Sequence, residues 1–467
     1  MTTELYIQIR QYLRELIRGT EWEGHVYAVG GCCRDELMGH PIKDVDMAVD
    51  LPLGGIRFAK WLWEKGLTTY PPVTFPMYGT AMLHLCKFPD DEIELVQTRR
   101  EKYTDHTRRN PETVFGTLED DCLRRDLTIN SLYFDISRER FVDVTRHGVD
   151  DIRNHIIRTP TDPDITYDDD PLRILRCIRF ASRYGWEIEP ETFEAMKRNV
   201  NRLSIITMER IRTELEKMLT CAYPMMALEL LRQTRAMQYV IPELCETFTM
   251  EQNHYHFGTV WQHTLKVVEN VDDSLLLRMA ALLHDIGKVR CREVSDEGKV
   301  TFLAHEVESA KLAEKILRRL KFSNDFIREV QFLVSHHMFF KAHGTKAEKL
   351  KSKKLRKFQH LCKTQKRFDN MLSLIDADNR AHAPEHCMPD QVPAIRSRIE
   401  AMEREGSTMF DYELPLDGNE VMELKGLRPG PAVRDCMEYL WKLAFANPLR
   451  SREEFIKHLL GYKPNER

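Results

Sequence analysis

The hydrophobic period of this chain changes once, near residue 160, and that change limits the fold to an α/β head followed by a long helical body. Before it, 26–29 (VYAV) reads as a short buried strand that stops at Gly30-Gly31, with a helix from about Arg34 to Met38. Residues 44–49, 93–97, 132–134 and 141–144 read as further strands. After the change the spacing is almost wholly helical, broken at Pro190, Pro224, Pro242, Pro384 and the GLRPGP segment at 426–431. A chain of 467 residues exceeds what a single core organises, so roughly two to four domains are expected.

Gly30 to Asp50, GGCCRDELMGHPIKDVDMAVD, concentrates the chemistry of the head. Asp44 and Asp46 are two apart, so on a strand both carboxylates leave the same face. Carboxylates so placed repel unless a cation lies between them, which makes them a cradle for Mg²⁺. Gly30 and Gly31 have no side chains to keep a triphosphate from the backbone, and Arg34 supplies a charge-assisted contact to phosphate. Glu94, in EIELVQ, alternates so as to share the face of a neighbouring strand's Asp-x-Asp and is the third acidic candidate, with Glu92 two residues before it. In LRRDLTINSLYFD, Arg125 and Asp126 place a cation beside a carboxylate. On a helix Asn130 would join Asp126 on one side, suited to a ribose, to fixing Arg125, or to an internal salt bridge with a cap.

DDDPLRILRCIRFASRYGWEIEP opens as a helix with Asp170 at the N-cap and Pro171 at the first helical position. Arg173, Arg176, Arg179 and Arg183 recur at spacings of three, three and four, forming one stripe beside Leu172, Leu175 and Ile178. Such a stripe is either a solvated face or an anion site, and the adjacent acids favour a nucleotide site. Asp170 can only accept hydrogen bonds and Arg173 can only donate them. Cytosine and adenine both offer an amine beside a ring-nitrogen acceptor, whereas uracil and guanine offer a carbonyl beside a ring N–H. The pair therefore accepts C and A and rejects U and G without a template.

The helical body carries a second constellation. His284-Asp285 lies in an apolar helix, an expensive place for ionisable groups that bind nothing. His263 precedes it, and His305, His336 and Asp376 follow, with His337 competing with His336. Imidazoles with carboxylates suit Ni²⁺, Mn²⁺, Co²⁺ or Fe²⁺ as well as Mg²⁺.

The order GGxxRD…DxD, RRDLTIN, DPLRILRxIRFA resembles class II CCA-adding tRNA nucleotidyltransferases and the related bacterial poly(A) polymerases, over about residues 24–235. The resemblance implies that Asp44 and Asp46 bind Mg²⁺ and that Gly31, Arg34 and Arg125 contact the nucleotide. It implies further that Asp170, Arg173, Arg176 and Arg179 select the base and hold phosphates. One departure is Asp169-Asp170 where the family usually has Glu-Asp. TRREKYTDHTRRNPETVFGTLEDDCLRRD resembles the full-length loop of complete enzymes, which implies addition of A as well as CC. Residues 254–382 resemble HD-superfamily phosphohydrolases. That implies a core site of His263, His284, Asp285 and Asp376, with His305 and His336 placed for a second metal. The fold expected is α+β: a small mixed-sheet nucleotidyltransferase head (1–150), an all-helical neck with the recognition helix (151–250), an HD helical domain (251–385) and a helical tail that grips tRNA (386–467).

The expected function is template-independent addition of C, C and A from CTP and ATP to tRNA, with metal-dependent phosphohydrolase activity in the HD domain. The alternatives are a poly(A) polymerase, or mainly an HD phosphohydrolase with an RNA-binding head. A formal net charge of −4 means that RNA must be held by local basic patches. The densest, Lys341 to Lys357, reads equally as such a contact or as a solvated loop and helix face. Eleven cysteines without a CxxC pair fit reduced thiols in a cytoplasm. The charged amphipathic start is no secretory signal, and no stretch approaches the about 20 apolar residues of a membrane helix.

Overall fold

The strand-forming runs of the head are β1 (Val26–Val29), β2 (Val45–Val49), β3 (Val73–Phe75), β4 (Thr80–Leu85) and β5 (Phe88–Gln97). A hairpin of β6 (Arg99–Lys102) and β7 (Glu112–Phe115) follows, and then β8 (Leu132–Asp135) and β9 (Arg140–Asp143). In this computed structural model seven of them form one sheet, ordered β3-β4-β5-β2-β1-β8-β9. Only β2 and β5 pair in parallel; the other neighbours are antiparallel. The structure describes residues 1–102, 112–252, 258–341, 350–410 and 412–464. Residues 103–111 of the loop segment and 342–349 of the lysine run lie outside them.

The sheet has two unlike faces because its strands alternate. Val45, Met47 and Val49 of β2, Ala81 and Leu83 of β4, and Ile93 and Leu95 of β5 are buried. The helix Gly54–Glu64 packs against these three strands. Gly55 permits that contact: a Cβ there would lie 2.6 Å from the Leu95 carbonyl oxygen and 2.8 Å from that of Gly79. Asp46, Met82 and Glu94, in register across β2, β5 and β4, point the other way and keep partial access to solvent.

The chain forms two compact units, Met1–Cys245 and Glu246–Arg467. Beyond β9 the first unit is helical apart from a two-residue parallel pair, β10 (Ile156–Ile157) with β11 (Glu187–Ile188). Pro163, Pro190 and Pro224 each sit at a helix start, where the missing N–H costs nothing. The second unit is built on the helices Val260–Asn270, Leu275–Leu283, His305–Arg319, Asn324–His336 and Gln365–Arg380. A short hairpin, β12 (Arg292–Val294) with β13 (Val300–Phe302), interrupts the expected all-helical body. Near the C-terminus Cys436, Leu440, Phe455 and Leu459 belong to a separate apolar cluster.

Gly55→Ala forces backbone apart rather than a flexible side chain. We expect a loss of about 1–3 kcal/mol in stability, read as a lowered urea midpoint with an unchanged slope.

Candidate functional site

Asp46 stands directly opposite Glu94 across the parallel β2–β5 pair, and Asp44 lies just before β2, two residues from Asp46 and therefore on the same face. Three carboxylates thus converge at the centre of the sheet. Burial first, then the negative charges of Glu94 and Asp44, push the Asp46 carboxyl up to about 6, with Arg125 opposing them. An all-oxygen donor set whose members repel one another fits a hard divalent cation.

Gly30, at the end of β1, has φ 76°, a left-handed value that favours glycine. A Cβ there would lie 3.3 Å from Arg125 Nη1. The helix Gly31–Leu37 then carries Arg34, whose Nη1 donates to Asn130 Oδ1 at 2.5 Å. Asn130 Nδ2 donates to Asp126 Oδ1 at 3.0 Å, and Arg176 Nε donates to Asp126 Oδ2 at 2.7 Å. Burial alone would raise the Asp126 carboxyl, but Arg176 and Asn130 hold it down at about 2. Two expectations need correction. Thr128–Asn130 is a single 3₁₀ turn and not an α-helix, and Asp126 fixes Arg176 rather than Arg125.

Arg125 is fixed instead by Asp121, at 3.0 Å, and by the Tyr133 hydroxyl at 3.3 Å. Asp121 is fully buried; it also accepts from Arg124 at 2.5 Å and from Tyr133 at 2.6 Å. Burial would raise its carboxyl, yet the two arginines hold it well below the usual carboxylate range. Arg124 in turn leads to the arginine helix, because its carbonyl accepts from Arg173 Nη2 at 2.6 Å. A set of contacts therefore joins Arg125, whose charge acts on Asp46, to the helix Leu172–Tyr184.

That helix begins one residue later than expected, with Pro171 at the cap, and Asp170 Oδ1 accepts from the Leu172 N–H at 3.1 Å. Its arginine stripe is no solvated face. Arg173 and Arg179 are buried; Arg173 also donates to the Thr166 carbonyl, and Arg179 pairs with Glu214 at 2.7 Å. Asp170 remains partly open and pairs with Arg210 at 2.7 Å.

In the second unit His263, His284, Asp285 and His305 converge in the interior. The donor atoms of His263, His284 and Asp378 all lie within 4.8 Å of one another, and so do those of His284, Asp285 and His337. Asp285 joins the two triads: it lies 3.1 Å from His284 Nε2, 3.1 Å from His305 Nε2 and 3.5 Å from His263 Nε2. The Nδ1 atoms of His263, His284, His305 and His337 each face a backbone carbonyl, at 3.3, 2.7, 2.9 and 2.7 Å. A carbonyl only accepts, so each Nδ1 carries the proton and each Nε2 presents a lone pair inward. His305 Nε2 and His337 Nε2 are 3.3 Å apart, close enough for a shared cation to take both. This donor set fits a divalent metal.

Two expected ligands are corrected. Asp376 pairs with Arg380 at 2.8 Å, and Asp378, two residues on and so on the opposite side of the helix, faces the cluster 3.1 Å from His263. His336 bonds the Phe332 carbonyl and stacks on the Phe332 ring, while His337 enters the cluster. Lys288, 2.7 Å from Asp285, and Lys341, paired with Asp378, were not anticipated and supply internal positive charge.

Three family models match the chain: Poly A polymerase head domain over 26–158, Probable RNA and SrmB-binding site of polymerase A over 185–248, and HD domain over 253–374. The Multifunctional CCA protein of Pseudomonas fluorescens Pf0-1 is 32% identical over 346 residues, covering 71% of this chain and 78% of that protein. The mitochondrial CCA tRNA nucleotidyltransferase of Saccharomyces cerevisiae is 35% identical over 224 residues, 44% of this chain; the match spans only 40% of the yeast protein. Among solved structures, the Bacillus stearothermophilus CCA-adding enzyme in complex with CTP shares the fold, with a TM-score of 0.68, 20% identity and 97% and 96% of the two chains covered. The Thermotoga maritima enzyme complexed with tRNA does so at a TM-score of 0.62 and 19% identity, over 98% and 95%.

Two outcomes follow from the geometry. Because the Asp46 carboxyl titrates near 6 in the fold and near 3.9 when unfolded, its contribution favours folding below about pH 4 and is lost as pH rises to about 6. In chelating buffer Asp46→Asn should therefore exceed wild type in stability by roughly 1–2 kcal/mol at pH 7.5. The gap should close at pH 4, as measured by urea denaturation. Separately, Asp378→Ala should lower metal retention in the second unit at least about tenfold, whereas Asp376→Ala should leave it unchanged, as metal analysis after dialysis would register.

Proposed function

The chain belongs to the CCA tRNA nucleotidyltransferase family, and on that premise we propose that it adds C, C and A from CTP and ATP to the 3′ end of tRNA without a template. The observation that carries this reading is the continuity of the site. The charge of Arg125 acts on Asp46 of the Asp44, Asp46 and Glu94 face, and contacts run from Arg125 through Asp121 and Arg124 to Arg173, so a metal cradle and a base-reading edge can serve one triphosphate.

The reaction is in-line attack of the RNA 3′-hydroxyl on the α-phosphorus, with pyrophosphate leaving. Mg²⁺ held by Asp44 and Asp46 would acidify the hydroxyl and neutralise the triphosphate. Arg125 is immobilised by Asp121 and Tyr133, so it meets phosphate without losing side-chain freedom. Gly30 and Gly31 let the phosphates near the backbone, with Arg34 beside them. Asp126 and Asn130 act by holding Arg176 and Arg34 in place. Each carboxylate oxygen of Asp170 keeps a lone pair beyond those used for Leu172 and Arg210, so it can accept the amine of C or A. Uracil or guanine would leave groups unpaired at about 1–3 kcal/mol each.

The buried histidine–aspartate cluster supports a second activity, metal-dependent hydrolysis of a phosphomonoester or 2′,3′-cyclic phosphate at an RNA end, with Ni²⁺, Mn²⁺, Co²⁺ or Fe²⁺ as the metal. We assign the tail, 386–467, to tRNA contact, and the protein to the cytoplasm, in keeping with eleven cysteines that include no CxxC pair. Among the described residues no helix is long and apolar enough to cross a membrane.

The deciding experiment supplies purified protein with tRNA lacking its terminus, Mg²⁺ and each nucleotide separately. Three residues in the order C, C, A support this reading; unlimited A identifies a poly(A) polymerase; and no incorporation alongside Mn²⁺- or Ni²⁺-dependent phosphatase activity leaves a hydrolase with an RNA-binding head. In the same assay Arg173→Ala should erode discrimination against UTP and GTP by about tenfold or more. Its tRNA affinity should stay within about twofold, since Arg173 is buried and its guanidinium is held by backbone carbonyls; unchanged discrimination would remove the base-reading role.

A further inference from the structure

The described part of the lysine run resolves into the start of an eleven-residue helix, Ser352–Cys362. Lys351, Lys353, Lys354 and Lys357, with His336 and Phe339, line a cavity of about 550 Å³, the size of a small-ligand pocket. Glu306 is the acid on this lining, and it leans on His305 at 3.7 Å. The helix start carries no side-chain cap, so its first N–H groups add to the positive field.

One atom separates this cavity from an ordinary basic surface. Lys354 Nζ is shielded from solvent and makes no hydrogen bond among the described residues. It sits 5.4 Å from the centre of the Phe339 ring and 5.6 Å from that of Phe340. Burial lowers its tendency to hold the proton, so the amine is kept in an apolar setting with donors and no acceptor. An anion entering the cavity would satisfy it.

Position supplies the class of anion. Glu306 on the cavity wall lies 3.7 Å from His305, and His305 Nε2 reaches Asp285 and His337, so the cavity lies beside the buried cluster. The cavity has more room than a lone phosphate uses, and Phe339 and Phe445 add apolar faces against which a base can stack.

We propose that this cavity binds a backbone phosphate and the adjoining base of a single-stranded RNA end presented to the histidine–aspartate cluster, with Lys354 as the phosphate anchor. The proposal rests on reading that cluster as a hydrolytic centre for RNA ends, but its test measures occupancy and not turnover.

A short RNA carrying 4-thiouridine is photocrosslinked to the full-length chain in chelating buffer, and the modified peptides are mapped. The crosslink is expected within 335–341, within 350–357 or at Phe445. Lys354→Met should reduce its yield about tenfold, the loss of one charge-assisted contact, and excess inorganic phosphate should compete where chloride at equal ionic strength does not. Lys357→Met should weaken it less, and Lys315→Met, an exposed lysine outside the cavity, should leave it unchanged. Urea denaturation of each variant reports that the chain is folded. A yield unaltered in Lys354→Met, or crosslinks that map only elsewhere, would overturn the proposal. Phosphate-dependent stabilisation that is lost in Lys354→Met without any crosslink would make free phosphate the occupant and overturn the RNA assignment. Failure of wild type to incorporate CTP or to hydrolyse RNA ends would strike the proposed function instead, leaving a Lys354-dependent crosslink to stand.

Discussion

Asp46 and Glu94 face each other across a parallel strand pair, with Asp44 on the same face, and the rest of the head is arranged around that repulsion. Charges brought together in a partly buried place either take up a proton or recruit a cation. The fold does not relieve them internally. Arg125 is near enough to oppose the rise in the Asp46 carboxyl, but its hydrogen bonds go to Asp121, Tyr133 and the Asn130 carbonyl. The carboxylate face is thus left short of positive charge while cations stand beside it, already paired. A metal–triphosphate complex supplies what that arrangement lacks on both counts.

The arginines work by the opposite rule. Asp121 and Asp126 are buried and ionised; Asp121 holds the guanidinium groups of Arg124 and Arg125, and Asp126 holds that of Arg176 together with the Asn130 amide. Removing one partner of such a pair leaves an uncompensated buried charge, so these contacts specify geometry more than they add stability. With Asn130 on Arg34 and the Thr166 and Arg124 carbonyls on Arg173, they place Arg34, Arg125, Arg173 and Arg176 in fixed positions before a nucleotide arrives, which is where electrostatic preorganisation comes from.

Much of this was legible in the sequence because side-chain period and function coincide. Asp44-x-Asp46 and Glu94 share a face by strand alternation alone, and the arginine stripe follows from helical spacing. The errors arose where period was set aside for residue type. Asp378 continues the buried stripe Met371, Leu374, Ile375, while Asp376 falls outside it; His337 follows Val330 and Val334, while His336 follows Phe332. Phase would have chosen correctly in both cases. Asp121 and Glu214 carry no such signal, since each looks like one acid among several on a charged helix, and only tertiary pairing with Arg125 and Arg179 reveals them. β3 was missed because three residues carry too little period to read, although β4, TAMLHL, does alternate.

The histidine cluster repeats the logic of the head with different ligands. Four imidazoles are locked by backbone carbonyls into the tautomer that aims a lone pair inward, and two carboxylates stand among them. Here the fold does provide partial relief, because Lys288 and Lys341 reach Asp285 and Asp378 from inside. Ammonium groups can balance the carboxylates but cannot satisfy imidazole lone pairs, since burial and the neighbouring His284 and His305 together drive the His337 ring well below its usual range. A proton is therefore a poor bridge between His305 and His337, and a divalent metal a good one. In both centres the polypeptide carries the cost of assembling mutually repelling groups, and the cation that relieves it is also the one that hydroxyl or water activation requires.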